Sequence, residues 1–307
     1  EDQIYTWLSN NNAQCHYEEA PFQFVQKMAQ NVELYVKCRM PDDALEGNVH
    51  LKNIPLLAGK SYKLHLMLLL AASNMNSEAF AKFKSILESV VYYTVIDKIA
   101  TNITERTFAL WCRDVRNIVT AEDLDCFVKN TIIPTVNDWK LDNKSNFLRL
   151  GLNSMQQYRI KFILGKITAY VDALKLGKTT VEDLTTYTET AVEIEHIMPQ
   201  ACTDKGLYGM NEEEFSVYIN RLGNLTLLEN TINRSIQNDV YANKATYYKQ
   251  SKFYITSSIS ELVNLGQDTA INRTNSLLSS WPDWNKQAIE ERQEMFYRLS
   301  EMIWELR

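Results

Sequence analysis

Glycine and proline are scarce in this chain, nine and six of 307 residues, while 45% of the residues are hydrophobic. That balance excludes a Pro/Gly-rich disordered chain and suits a compact, helix-rich globule, long enough for two domains that each bury a core. A surplus of positive charge is also missing. The formal net charge is −6, which excludes a protein that grips nucleic acid with its whole surface, because phosphate binding relies on lysine and arginine releasing counterions. Any such contact has to be local. The five cysteines, at positions 15, 38, 112, 126 and 202, show no CxxC pairing, which argues against a zinc knuckle or a disulfide framework and favours reduced thiols in the cytoplasm. Cys202 reads as a packed or idle side chain. No signal peptide is visible at the start, and the apolar run Leu64–Ala72 is too short to span a bilayer, so it reads as a buried helix. No internal repeat is apparent.

What is present is helical periodicity. Apolar residues recur at three- and four-residue steps through Phe22–Val36, Tyr62–Ala72, Ser77–Ile99, Glu105–Ile118, Ala121–Ile132 and Gln156–Leu174. Turn signals separate them at Pro41-Asp42-Asp43, Ser73-Asn74 and Gly177, and Thr120-Ala121-Glu122-Asp123 resembles a capping start. The threonine-rich stretch Gly177–Thr190 marks the expected boundary between a helical domain, 1–180, and a second domain, 181–307.

The second domain holds the residues with chemistry. Glu193-Ile194-Glu195-His196-Ile197 is a β-favouring run that ends at Pro199, and Leu225-Thr226-Leu227-Leu228 follows the turn signal Gly223-Asn224. Helix-like spacing resumes between Asn233 and Lys252 through Ile236, Val240, Tyr247 and Tyr248. The expected order is strand, loop, strand, helix. His196 is the candidate general base, since a histidine titrates near neutral pH. Glu195 and Asn233 offer the hard oxygen ligands that suit magnesium or manganese. Successive strand side chains point to opposite faces, so Glu195 and His196 converge on one ion only where the pleat breaks down. Glu193, two residues before Glu195, reads as an outer-shell carboxylate or a plain surface glutamate. His16, His50 and His65 lack partners at metal-binding spacing and receive no role: His65 reads as a core residue and His50 as part of a loop.

These elements resemble the ββα-metal finger of HNH nucleases. More specifically, Glu195-His196-Ile197-Met198-Pro199-Gln200, Leu222-Gly223-Asn224-Leu225-Thr226-Leu227-Leu228, Ile232-Asn233, Asn238, Lys244, Tyr248, Ser251, Trp284, Arg292 and Trp304 resemble the C-terminal nuclease region of GmrSD-type type IV restriction enzymes and their SspE-like relatives. The resemblance is close over roughly the last two-fifths of the chain. It implies a mainly α fold with a small α+β part, in which an N-terminal helical bundle precedes an HNH finger embedded in further helices. It also implies a metal-dependent DNA endonuclease of phage defence, acting on modified DNA or gated by DNA modification, with one Mg2+ or Mn2+ ion. Relatives of this kind begin with a nucleotide-hydrolysing, ParB-like domain. No Asp-Gly-Gln-Gln-Arg-like motif occurs here and the sequence starts at Glu1, so the chain reads as a C-terminal piece of a longer protein.

The expected roles are His196 as base, Glu195 and Asn233 as metal ligands, and Asn224 as the residue that fixes the loop and the imidazole. Asn238 is a second candidate for the place given to Asn233. Arg221, Arg234, Lys244, Lys249 and Lys252 are the expected DNA contacts, with Tyr241, Tyr247, Tyr248 and Tyr254 among them for stacking on bases. Two alternatives stay open: a catalytically silent DNA- or partner-binding module of a defence complex, and an RNA nuclease.

Overall fold

The computed structural model describes residues 2–42, 45, 47–179, 183–201, 205–236 and 238–306. Cys202, Asp43 of the Pro41 turn and residues 180–182 of the expected boundary lie outside the described residues. The protein is mostly helical, with one small antiparallel sheet of two strands. Among the described residues no helix is long and apolar enough to cross a membrane.

Each expected helix is present, with shifted ends: Pro21–Arg39, Leu64–Ala71, Ser77–Ile96, Thr101–Val115, Ala121–Phe127 and Gln157–Lys175. Thr120 does form a capping box, its hydroxyl accepting from the Asp123 amide while the Asp123 carboxylate accepts from the Thr120 amide. Two further helices carry weight in the fold, Asn48–Ala58 and Lys286–Ile303. The first corrects the expectation for His50, which sits in a helix and not in a loop. Its Nδ1 lies 2.6 Å from Glu88 Oε2, and Lys166 Nζ lies 2.6 Å from Glu88 Oε1. Burial alone would push the Glu88 carboxyl up. Lys166 and His50 outweigh it and hold the group at about 2.

The Gln157–Lys175 helix is the axis of the molecule. It packs on Asn48–Ala58 on one side and on the sheet, Tyr254–Ser257, Ala270–Asn275 and Lys286–Ile303 on the other. Ile160, Ile163, Ile167 and Val171, at three- and four-residue steps, are fully buried along it. One contiguous apolar core therefore runs through both halves of the chain. Each fully buried Leu, Ile or Phe in it contributes about 1.5–3 kcal/mol of burial free energy.

The sheet pairs β1 (Val192–His196) with β2 (Leu225–Glu229), in a register that sets Glu193 opposite Leu228, Glu195 opposite Thr226 and His196 opposite Leu225. β2 passes straight into the Asn230–Ile236 helix, and a short break separates that from Tyr241–Tyr248. The two expected strands and the following helix are present, that helix in two pieces, but the segment between the strands carries the Glu212–Tyr218 helix where a loop was expected.

Candidate active site around His196

Alternation along β1 separates the two residues of the Glu195-His196 pair. Glu193 and Glu195 meet the two helices after β2, whereas His196 meets the segment that precedes β2. No hydrogen bond between side chains among the described residues joins Glu195, His196 and Asn233 to one another; each side chain has partners of its own.

Glu195 is buried and its Oε1 accepts from Lys244 Nζ at 2.6 Å and Tyr248 OH at 3.0 Å. The same ammonium donates to the His196 carbonyl at 2.8 Å, so one cation ties the carboxylate to the backbone that carries the histidine. Burial raises the Glu195 carboxyl above its ordinary value, and Lys244, Tyr248 and the His196 amide oppose it. Asn233 lies in the Asn230–Ile236 helix and its Nδ2 donates to Glu193 Oε2 at 2.7 Å. Asn238 is exposed in the break between the two helices.

His196 ends β1 and is partly buried. Its Nε2 lies 3.3 Å from Asn220 Oδ1 and 3.3 Å from Gln200 Nε2. Asn220 directs its Nδ2 at Asn153 Oδ1, 3.1 Å away, which leaves its oxygen for the imidazole. An amide oxygen only accepts. An amide nitrogen only donates, so Nε2 either donates to Asn220 or accepts from Gln200 according to the tautomer, and the two amides together flank that edge of the ring. Burial lowers the imidazole below its ordinary value, with Lys244 adding to the effect and Asn220 opposing it, so the neutral form dominates at pH 7. That is the protonation state a base needs.

Asn224 is fully buried. Its Oδ1 accepts from the Met198 amide at 2.8 Å and Trp284 Nε1 at 2.9 Å, and its Nδ2 donates to the Ile219 carbonyl at 2.9 Å. The side chain thus pins the turn after His196 to the turn before β2 and touches nothing outside the protein. The Lys286–Ile303 helix holds that second turn. Arg292 Nη1 donates to the Gly223 and Leu225 carbonyls at 2.9 and 2.7 Å, and Gln293 Oε1 accepts from the Gly223 amide at 3.1 Å. A Cβ on Gly223 would lie 2.1 Å from the Ile289 carbonyl oxygen, so only glycine lets the turn and helix come this close.

Several expected DNA contacts change place. Lys244 is 1% exposed and turned inward, so it offers nothing to a phosphate. Tyr241 and Tyr248 are buried in the core and present no face to a base, while Tyr247 is exposed and Tyr254 donates to Asn275 Oδ1. Arg234 and Lys252 are exposed, Lys249 pairs with Glu261 at 3.0 Å on the surface, and Arg221 lies half-buried over the Tyr218 ring. Asn220 and Gln293 escaped sequence reasoning altogether. Polar residues one beside the Arg221 turn and one on an amphipathic helix carry no periodic or motif signal.

The model of the GmrSD restriction endonuclease C-terminal domain matches residues 136–299, more than half of the chain. The chain belongs to the GmrSD family. A search of curated proteins found no match. The GmrSD match contains the whole of the His196 site and begins well before residue 180, taking in Asn153 and the Gln157–Lys175 helix on which the sheet rests. Membership of GmrSD makes the protein a nuclease of the restriction type, in phage defence.

Proposed function

We propose that this protein is a metal-dependent HNH DNA endonuclease of a modification-dependent restriction system, with nicking as its elementary act. The supporting observation is the state of His196: a neutral imidazole at the end of β1, flanked by Asn220 and Gln200 and backed by the turn that Asn224 secures.

The donor set fits a hard divalent ion. Glu193, Glu195 and Asn233 bring two carboxylates and a carboxamide to one face of the sheet, all oxygen ligands. No group of three His, Cys, Asp or Glu side chains able to hold a metal occurs among the described residues. Magnesium binds through one or two carboxylates and keeps several waters. Glu195 and Asn233 are the proposed ligands, with Glu193 supporting Asn233. The ion supplies charge neutralisation at the phosphate and the departing oxygen. His196 takes the proton of the attacking water, Asn220 positions the imidazole, and cleavage leaves 5′-phosphate and 3′-hydroxyl ends. Lys244 keeps the Glu195 carboxylate charged although it is buried. DNA and the nucleotide-hydrolysing domain of GmrSD-type relatives are the proposed partners.

The test is supercoiled plasmid, linear duplex and RNA, each with magnesium, manganese or EDTA. Metal-dependent conversion of supercoiled to open-circular plasmid, lost in His196→Ala, is the expected result. Parental nicking by His196→Ala removes His196 from the mechanism; RNA cleavage alone, or no cleavage of anything, replaces the reading with one of its two rivals.

A further inference from the structure

Beside Asn220, two adjoining cavities of about 210 and 560 Å3 share Arg149 and Arg221 in their walls. We propose that this groove is a binding subsite for the sugar–phosphate backbone of duplex DNA next to the cleaved bond, an inference that rests on the nuclease reading above.

Three observations carry it. First, exposed Arg149 and half-buried Arg221, the latter over the Tyr218 ring, have no ion-pair partner among the described residues, and the lining of the two cavities contains one carboxylate, Asp142. Lys144, on the rim of the larger cavity, is already held by Glu294 at 3.1 Å. A phosphate in the groove can accept from guanidinium groups in the planar forked geometry that they offer. Second, the groove is built on locked backbone. Gly151 bridges Arg221 in antiparallel fashion, the Leu152 amide donates to the Asn220 carbonyl at 2.9 Å, and the Leu222 amide donates to the Leu150 carbonyl at 2.8 Å. A Cβ on Gly151 would lie 2.1 Å from the Asn220 oxygen, so this close approach depends on glycine. Both arginines are therefore presented from a rigid staple and not from a loose loop. Third, the smaller cavity is one residue removed from the base: Asn153 and Asn220 line it, and Asn220 Oδ1 lies 3.3 Å from His196 Nε2. A strand lying along Arg149 and Arg221 would reach the residue that contacts the imidazole. For a chain of net charge −6, a local cationic groove is the form that phosphate binding has to take.

Fluorescence anisotropy of a labelled 20-base-pair duplex, in EDTA and over a salt series, tests the assignment with the full chain. Arg149→Gln/Arg221→Gln is expected to weaken binding on the order of tenfold and to reduce the slope of log K against log salt by about two. Arg149→Lys/Arg221→Lys, which keeps both charges, should retain the slope. Arg106→Gln/Lys129→Gln removes the same charge from exposed helices elsewhere and should also retain it. A folded glutamine pair, with the parental circular dichroism spectrum, that keeps the parental slope overturns the proposal; so does an equal loss in the Arg106/Lys129 control. The measurement needs no cleavage, so an absence of plasmid nicking would count against the nuclease reading and leave this result to stand or fall by itself.

Discussion

Replacing Lys244 by methionine separates an inward from an outward role for its ammonium. The side chain is 1% exposed, and its Nζ serves both Glu195 Oε1 at 2.6 Å and the His196 carbonyl at 2.8 Å. Methionine fills most of the same volume, so the lost term is electrostatic: a carboxylate that is 6% exposed keeps only Tyr248 and an amide as partners. Removing one member of a buried ion pair costs about 3–5 kcal/mol, because the remaining charge is stranded. In urea, with a slope of about 3 kcal/mol/M, the unfolding midpoint should fall by roughly 1–1.7 M. Glu195→Gln/Lys244→Met should recover most of that loss, since glutamine needs no counter-ion and its oxygen still accepts from Tyr248. The pH dependence has a definite sign. Without the ammonium the folded carboxyl titrates well above its unfolded value, so the penalty is full at neutral pH and shrinks on acidification as Glu195 takes up a proton in the folded state. A Lys244→Met protein with the parental midpoint and a salt slope for DNA binding reduced by about one would refute the buried ion pair and restore Lys244 to the phosphate.

Three further outcomes are expected. Asn224→Ala strands the Met198 amide, the Trp284 indole N–H and the Ile219 carbonyl, and should cost about 2–4 kcal/mol in chemical denaturation while abolishing nicking; a stable, active variant would show that the two turns do not need the pin. His65 is buried, stacked on Tyr62 and without a partner at Nδ1, and burial lowers it from 6.5 to about 4. Between those values only the unfolded chain takes the proton, so stability falls as the pH drops through that window, by roughly 3 kcal/mol in all. His65→Phe should remove this loss, and parallel pH profiles for parent and variant would contradict it. Calorimetric titration with manganese should show weaker binding in Glu195→Ala and in Asn233→Ala; parental heats in both would leave the ion without its proposed ligands.

Much of the architecture was legible because it depends on periodicity. The long helices announce themselves by apolar residues three and four apart, and the two strands by β-favouring runs bounded by Pro199 and by Gly223-Asn224. The Asn48–Ala58 helix was not, since Pro55 lies inside it and polar Asn48, Asn53 and His50 face inward to meet Lys84 and Glu88. A buried polar network looks like a loop until the partners from another helix are in place. Lys244 misled for the same reason: a lysine on a short polar helix reads as solvated, and only the fold sets a carboxylate opposite it.

The residue types of the site, their order and the family they belong to are written in the sequence, because they are properties of short stretches read one at a time. Which side chains meet is a different kind of property. Strand alternation sends Glu195 and His196 apart, Asn153 and Asn220 come together from 67 residues apart beside the base, and Arg149 and Arg221 line one groove because Gly151 lets two backbones touch. Those pairings arise from packing a common core, and no local pattern encodes them.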